Sequence, residues 1–241
     1  MDEAPDRQET PQVDGGRDGP EAVPAATVVL VRDRPGGPEV LMLRRNSAIA
    51  FGGMWVFPGG RIDPSDTDPA HPEDVVLAAR RAAVREAEEE AGLSLDIAVM
   101  VPLSHWSPPP QAPRRFTTWF FLAPAPADAE VHIDGGEIHE HGWLRPAVAL
   151  GQRDGGQIEL APPTWVTLWG LARASTVTEA LRRAGSRTPR RFVTHMARGA
   201  DPPIALWEGD AGYDSYDPAA PGARHRLTMH PGAWRYEPDV G

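Results

Sequence analysis

The sequence predicts a mixed α/β fold, because strand-like and helical patterns alternate along the chain. Runs of β-branched and aromatic residues at 25–33 and 114–124 are typical of buried strands. Between them, residues 72–93 have the composition and spacing of a long amphipathic helix. The chain has 241 residues, 41% of them apolar, so it is long enough to bury a substantial core.

The first elements are a tail and two strands. Residues 1–23 lack apolar periodicity and are rich in charge, proline and glycine, which predicts a disordered tail. Residues 25–33 and 40–45 predict a strand and its returning partner, joined by the turn sequence RPGGPE. A loop then leads to WVFPGG at residues 55–60, which predicts a short strand that enters a glycine turn.

The strongest helix prediction covers residues 72–93. Val76, Ala79, Ala83 and Ala87 recur three or four residues apart and give one narrow apolar stripe. Gly92 is placed to end the helix.

The remainder of the chain predicts further strands and two helices. We expect strands at residues 95–106, 114–124 and 137–146, helices at 162–174 and 177–185, and short strand-like pieces at 203–208, 225–230 and 234–237. The acidic stretch EGDAGYDSYDP, with Asp210, Asp214 and Asp217, predicts a solvated loop, and a calcium loop is the alternative.

Charge and composition exclude several classes of function. The net charge of −10 provides no basic surface for phosphates, so we expect no nucleic-acid binding. With no cysteine, the chain has no disulfide, thiol nucleophile or Cys-ligated zinc. No run of about 18 apolar residues is present, and the N-terminus is acidic and polar. We therefore expect no membrane association and a cytoplasmic location.

Four glutamates crowd the end of the predicted helix, although like charges three or four apart repel by roughly 0.2–0.5 kcal/mol per pair. Glu86, Glu89 and Glu90 share one helix face, whereas Glu88 is rotated by about 200° from Glu86 and should point elsewhere. Arg85 precedes Glu89 by four residues and can pair with it. Hard oxygen ligands on one face suit Mg²⁺ or Mn²⁺, which would remove the repulsion. Taken alone, the stretch EAEEE is equally typical of a solvated, glutamate-rich helix face.

The glutamates belong to a longer pattern. Gly60 is followed after five residues by Asp66, and later by the run Arg85-Glu86-Ala87-Glu88-Glu89-Glu90-Ala91-Gly92-Leu93. This pattern resembles the signature of the Nudix hydrolases, which is Gly, five residues, Glu, seven residues, then Arg-Glu-aliphatic-any-Glu-Glu-any-Gly-aliphatic. Here Asp66 replaces the first Glu, and 18 residues separate it from Arg85, an insertion of 11.

The resemblance implies a fold and a reaction class. The Nudix fold is an α/β/α sandwich around a mixed β-sheet, and we expect it over residues 24–185. Residues 186–241 would form a β-rich C-terminal extension that packs on the domain or extends it. Family members cleave a diphosphate that is linked to another moiety, with the help of divalent metal ions.

The resemblance also implies roles for individual residues. By position, Glu86, Glu89, Glu90 and the backbone of Gly60 would bind Mg²⁺ or Mn²⁺, and Arg85 would belong to the catalytic set. The general base would be Glu86 or Glu90, or a more distant acid. Glu137 and Glu140 are candidates for that acid, and exposed charges at a strand end are their alternative interpretation.

A narrower resemblance concerns the substrate. The stretches LMLRRNSAIAFGGMWVFPGGRIDPSD, SHWSPPPQAPRRFTTWFFLA and IELAPPTWVTLWGLA are similar to the peroxisomal acyl-coenzyme A diphosphatases and their bacterial relatives. That branch implies cleavage of coenzyme A or its thioesters to 3′,5′-ADP and a 4′-phosphopantetheine fragment. Arg44, Arg114 and Arg115 would then bind phosphate, and Phe116 or Trp106 would stack on adenine. Arg45 lies beside Arg44, one strand before the glycine turn. All of these residues are equally consistent with surface arginines and core aromatics.

Two other functions stay open. The first is the same enzyme class acting on ADP-ribose, a nucleotide sugar or a dinucleotide. The second is a Nudix-fold sensor without catalysis, against which the complete set of Glu86, Glu89 and Glu90 argues. In each case we expect a small-molecule diphosphate as the partner, and a homodimer is left open.

Overall fold

The structure is a computed structural model that describes residues 22–46, 53–133 and 135–238. The predicted tail, residues 1–23, lies outside the described residues apart from its last two positions, and Val23 already begins the first strand. Most of the loop predicted between residues 46 and 54 also lies outside them.

The main sheet contains eight strands. They are β1 (Val23–Arg34), β2 (Gly37–Arg45), β3 (Trp55–Val56), β4 (Gly59–Arg61), β5 (Val101–Ser107), β6 (Phe116–Pro124), β7 (Ile138–Leu144) and β8 (Arg190–Val193). Their order is β3-β2-β1-β6-β5-β8, with β4 paired to β1 and β7 paired to β2. The β1–β6 and β5–β8 pairs are parallel, and the others are antiparallel. The sheet is therefore mixed, as the resemblance to the Nudix hydrolases implies.

Helices cover both faces of this sheet. They are α1 (Val75–Ala91), α2 (Pro146–Asp154), α3 (Pro162–Leu171) and α4 (Val177–Gly185). Successive side chains of β1 point to opposite faces, as in any strand. Val28 and Leu30 share a core cluster with the alanines of α1, whereas Val29 and Val31 share one with Leu168 of α3. The predicted α/β/α sandwich is confirmed.

The path of α1 follows from its sequence. Asp74 caps its first turn by accepting a hydrogen bond from the Leu77 amide. Gly92 ends it with φ 67°, a left-handed conformation that glycine adopts without strain. The helix faces the sheet with alanine, and Ala79, Ala83 and Ala87 are completely buried. These small side chains let the end of α1 lie close to β4.

A second sheet follows the last helix. Its strands are β9 (His195–Met196), β10 (Ile204–Leu206), β11 (Arg226–His230) and β12 (Ala233–Glu237), all antiparallel. The three strand-like pieces predicted in this region correspond to β10, β11 and β12. Of the three aspartates predicted to lie in a solvated loop, Asp214 and Asp217 are exposed. Asp210 is instead buried and forms an ion pair with Arg226.

Three local features differ from the sequence prediction. The strand expected at 95–106 starts only at Val101, because Asp96 caps a 3-10 turn at Ile97–Val99 through the Ala98 amide. Helix α2 was not predicted, and Pro146 begins it where the strand prediction had ended. Strand β8 was not predicted either, since its partner β5 is remote in the sequence. Within the described ranges, no helix combines the length and apolar character that a membrane span requires.

Candidate active site

The glycine turn brings the backbone against α1. Strand β4 pairs with β1, so that Gly59 lies opposite Thr27 and Gly60 opposite Ala26. A Cβ atom on Gly59 would collide with the Ala26 carbonyl, and one on Gly60 would collide with the Glu86 carboxylate. Space therefore requires glycine at position 59, where the collision is with backbone, whereas a side chain at position 60 would force the Glu86 carboxylate to move.

The three predicted carboxylates differ in their environments. Glu90 is buried and accepts a hydrogen bond of 2.9 Å from the Gly59 amide. The side chain of Glu86 is only 14% exposed, whereas that of Glu89 is 59% exposed. All three line one cavity, and Glu88 faces outward on the helix, as its spacing predicts.

Burial raises the pKa of two of these acids. Burial raises the pKa of Glu90 to about 7, although the Gly59 amide and Arg45 oppose this rise. Burial also raises the pKa of Glu86, with Arg85 acting in the opposite direction. The neighbouring hydrogen-bond donors and cations therefore do not fully offset the desolvation of these two carboxylates.

Arg85 connects the helix to the segment after the glycine turn. Its guanidinium donates to Asp66, Glu86 and Glu89, and to the Arg61 carbonyl. The bond to Asp66 is the largest contribution to the raised pKa of Arg85, which stays charged. Asp66 is itself buried, so the chain returns to α1 despite the 11 inserted residues.

Of the two neighbouring arginines before the glycine turn, Arg45 is the one that lies at the site. Its Nη2 atom lies 2.7 Å from Glu137 and 3.9 Å from Glu90. Its Nε atom is buried and has no hydrogen-bond partner in the described part of the chain. The neighbouring Arg44 instead pairs with Glu140 on the exposed surface, at 3.2 Å.

One cavity of about 810 Å³ extends from the carboxylates across the sheet. Arg45, Arg85, Gly60 and Glu137 line it together with the three glutamates. Of the candidate substrate-binding residues, Arg114 and Phe116 line the cavity, whereas Arg44 and Arg115 do not. Glu140 is also absent from the lining, so only one of the two candidate distant bases reaches the site.

The donor set fits a divalent cation in its chemistry. Three carboxylates meet a glycine backbone that leaves room for them, and two of these acids carry raised pKa values. As they stand, no three acidic or histidine side chains in residues 22–46, 53–133 and 135–238 are arranged to hold an ion. The Arg85 guanidinium lies between Glu86 and Glu89 and donates a hydrogen bond to each.

Comparison with known proteins identifies the family. The model of the NUDIX domain matches residues 22–163, which is more than half of the chain. A Nudix hydrolase from Alicyclobacillus acidocaldarius has the same fold, with a TM-score of 0.61 and 23% identity over 67% of this chain and 96% of that one. A comparison with curated proteins gave no match.

Two further solved structures are less similar. An Ap4A hydrolase from C. elegans aligns with a TM-score of 0.45 and 21% identity, over 61% of this chain and 93% of that one. The NUDIX domain of Shewanella oneidensis NrtR, solved with ADP ribose, aligns with a TM-score of 0.46 and 20% identity. The alignment covers 68% of this chain and 88% of that one.

The fold and the acidic cavity thus define a diphosphate hydrolase. The chain belongs to the Nudix family, whose hydrolases act on nucleoside diphosphate derivatives and use divalent metal ions.

Proposed function

We propose that this protein hydrolyses the diphosphate of coenzyme A or of its acyl thioesters, giving 3′,5′-ADP and a 4′-phosphopantetheine fragment. The observation that supports this best is one continuous cavity, which joins the acids of α1 to Arg114 and Phe116. Coenzyme A carries a diphosphate, a third phosphate and an adenine ring. Arginine binds phosphate in bidentate fashion and aromatic rings stack on bases, so Arg114 and Phe116 have suitable chemistry.

The proposed ligands of Mg²⁺ or Mn²⁺ are Glu86, Glu89 and Glu90, with the Gly60 backbone. When bound, the cation supplies neutralisation of developing charge and lowers the pKa of water. Arg85 acts as a positioning residue, because it contacts two of these acids and is anchored by Asp66. Arg45 lines the cavity and holds Glu137 there through a hydrogen bond of 2.7 Å.

The general base is proposed to be Glu137. It lines the same cavity as the other acids, and Glu140 does not. Its side chain is 61% exposed, so a water molecule can reach it from solvent.

A substrate panel tests the proposal. The purified protein would be incubated with Mg²⁺ and coenzyme A, dephospho-coenzyme A, acyl thioesters, ADP-ribose, a nucleotide sugar or a dinucleotide, and the products separated by chromatography. We expect 3′,5′-ADP from coenzyme A, and a loss of at least 100-fold in rate for Glu89→Gln.

Glu88→Gln is the matched control, since Glu88 is on the same helix but faces outward. It should retain wild-type activity within about twofold. Cleavage of ADP-ribose, a nucleotide sugar or a dinucleotide in preference to coenzyme A would contradict the proposal that coenzyme A is the substrate. Equal activity of the Glu89 and Glu88 variants would contradict the role of Glu89.

A further inference from the structure

The cavity changes character along its length. The charged residues that line it all occur at or before Glu137 in the sequence. From residue 161 onward, the described lining contains no charged side chain. It consists of Ala161, Pro162, Pro163, Thr164, Thr194, Met196, Ala205 and Met229.

Three of these residues come from the second sheet. Met196 in β9 pairs with Ala205 in β10, and Met229 lies in the adjacent β11. We call Met196, Ala205 and Met229 the methionine wall. The wall lies beyond residues 22–163, the part of the chain that matches the NUDIX domain.

The methionine wall is held by well-packed neighbours. Thr194 accepts a hydrogen bond of 3.0 Å from the Trp207 indole, which is completely buried. His195 points to the other side of β9, and its ring is stacked between Tyr213 and Tyr216, with centroid distances of 4.1 and 4.7 Å. The wall is therefore a formed surface and not the end of a loop.

The strand order sets the distance between the two ends of the cavity. The acids approach the sheet at β1 and β4, whereas β9 directly follows β8 at the opposite edge. Three strand spacings separate β1 from β8, which corresponds to about 14 Å. The wall therefore continues from the edge strand of the main sheet, whereas the acids approach that sheet at β1 and β4.

We propose that the methionine wall binds an apolar chain carried by the group that the diphosphate joins to the nucleotide. Against methionine and alanine, the hydroxyls of a second sugar or nucleoside would be left without hydrogen-bond partners. Methionine side chains adapt to chains of different shape. The inference rests on the proposed diphosphate hydrolysis and specifies the class of its second moiety.

The test uses alkyl esters of ADP, because they carry an apolar chain and do not depend on recognition of coenzyme A. Dissociation constants would be measured by calorimetry on the full chain in EDTA, with ethyl, hexyl and dodecyl esters. Binding should tighten with chain length, by up to about fourfold for each methylene that is removed from water.

Met229→Trp fills the subsite and should weaken binding of the dodecyl ester at least tenfold, while binding of the ethyl ester changes less than twofold. His230→Trp, an exposed position on the same strand, is the matched control and should leave the whole series unchanged. Met196→Ala removes a wall side chain without overpacking, and should weaken the dodecyl ester several-fold. Circular dichroism would verify that each variant is folded.

Affinity that is independent of chain length would overturn the inference. The same holds if Met229→Trp weakens the ethyl and dodecyl esters equally, since the wall would then contact the nucleotide. If coenzyme A is not hydrolysed but binding of the ADP esters still tightens with chain length, only the proposal of coenzyme A as the substrate is contradicted. If coenzyme A is hydrolysed but binding of the ADP esters does not depend on chain length, only the role of the methionine wall is contradicted.

Discussion

At the scale of single residues, the two arginines at the end of β2 have different surroundings. Arg45 lines the cavity with Glu90 and Glu137, whereas Arg44 pairs with Glu140 on the surface. The reason is the two-residue period of a strand. Leu41 and Leu43 pack in the core cluster of α1, and Arg45 continues their face. The two-residue spacing from Leu43 to Arg45 is visible in the sequence. It favours Arg45 over Arg44 only when it is known which face of β2 packs against α1.

The arginine pair gives the first prediction of this section. Arg45→Gln should lower kcat/KM roughly 10- to 150-fold, because a hydrogen bond between charged groups contributes about 1.5–3 kcal/mol. Arg44→Gln removes only an exposed ion pair, which contributes about 0–1 kcal/mol. Its kcat/KM should stay within a few-fold of wild type. Steady-state kinetics on the preferred substrate measure both, and equal losses would contradict the assignment of Arg45 to the site.

At the scale of elements, local sequence signals were sufficient to predict helix α1 but not the segments that pack around it. Helix-forming residues, the alanine stripe and Gly92 are all contained in one short segment, so the helix and the facing of Glu86, Glu89 and Glu90 could be predicted. The return of Asp66 to Arg85 could not, because the 11 inserted residues hide the spacing. Likewise β8 pairs with a distant strand, and nothing near residue 190 indicates that partner.

The contact between β4 and α1 gives a second prediction. Gly60→Ala should reduce kcat at least tenfold, since its Cβ would displace the Glu86 carboxylate. Gly170→Ala in α3 is the control, because no atom lies within 4 Å of its Cβ position. It should keep full activity and raise the free energy of unfolding by about 0.5–1 kcal/mol. Unchanged kcat in Gly60→Ala would show that the carboxylate can move without consequence.

At the scale of the whole molecule, the second sheet depends on a buried ion pair that the sequence analysis did not anticipate. Asp210 is completely buried in its side chain and accepts two bonds from Arg226, at 2.6 and 2.7 Å. Burial alone would raise the pKa of Asp210. The bonds from Arg226 and from the amides of His225 and Gly212 more than offset this effect and leave the pKa below its ordinary value.

This ion pair predicts how stability depends on pH. Because the folded state lowers the pKa of Asp210, the pair stabilises the protein above the unfolded value of about 4 and is lost as pH falls through the folded value. Asp210→Asn should therefore reduce the free energy of unfolding by about 3–5 kcal/mol at pH 7, since it leaves Arg226 buried and unpaired.

The difference between wild type and Asp210→Asn should shrink as the pH approaches 3. Denaturant titrations followed by tryptophan fluorescence at several pH values measure it. Arg235→Gln, which removes an exposed pair with Glu237, should change stability by less than about 1 kcal/mol. A difference between wild type and Asp210→Asn that is independent of pH would contradict the titration of Asp210.

The parallel pairing of β5 with β8 has a consequence for synthesis of the chain. Strand β5 ends at Ser107, and β8 begins only at Arg190. A ribosome adds about 5–20 residues per second, so β8 is synthesised roughly 4–17 s after β5. During this time one edge of β5 has no neighbouring strand. An open edge is a template for pairing with another nascent chain. Even in the finished sheet, β8 covers only Ser104–Ser107. Pro102 lies in the uncovered part of β5, where its missing amide hydrogen limits such pairing.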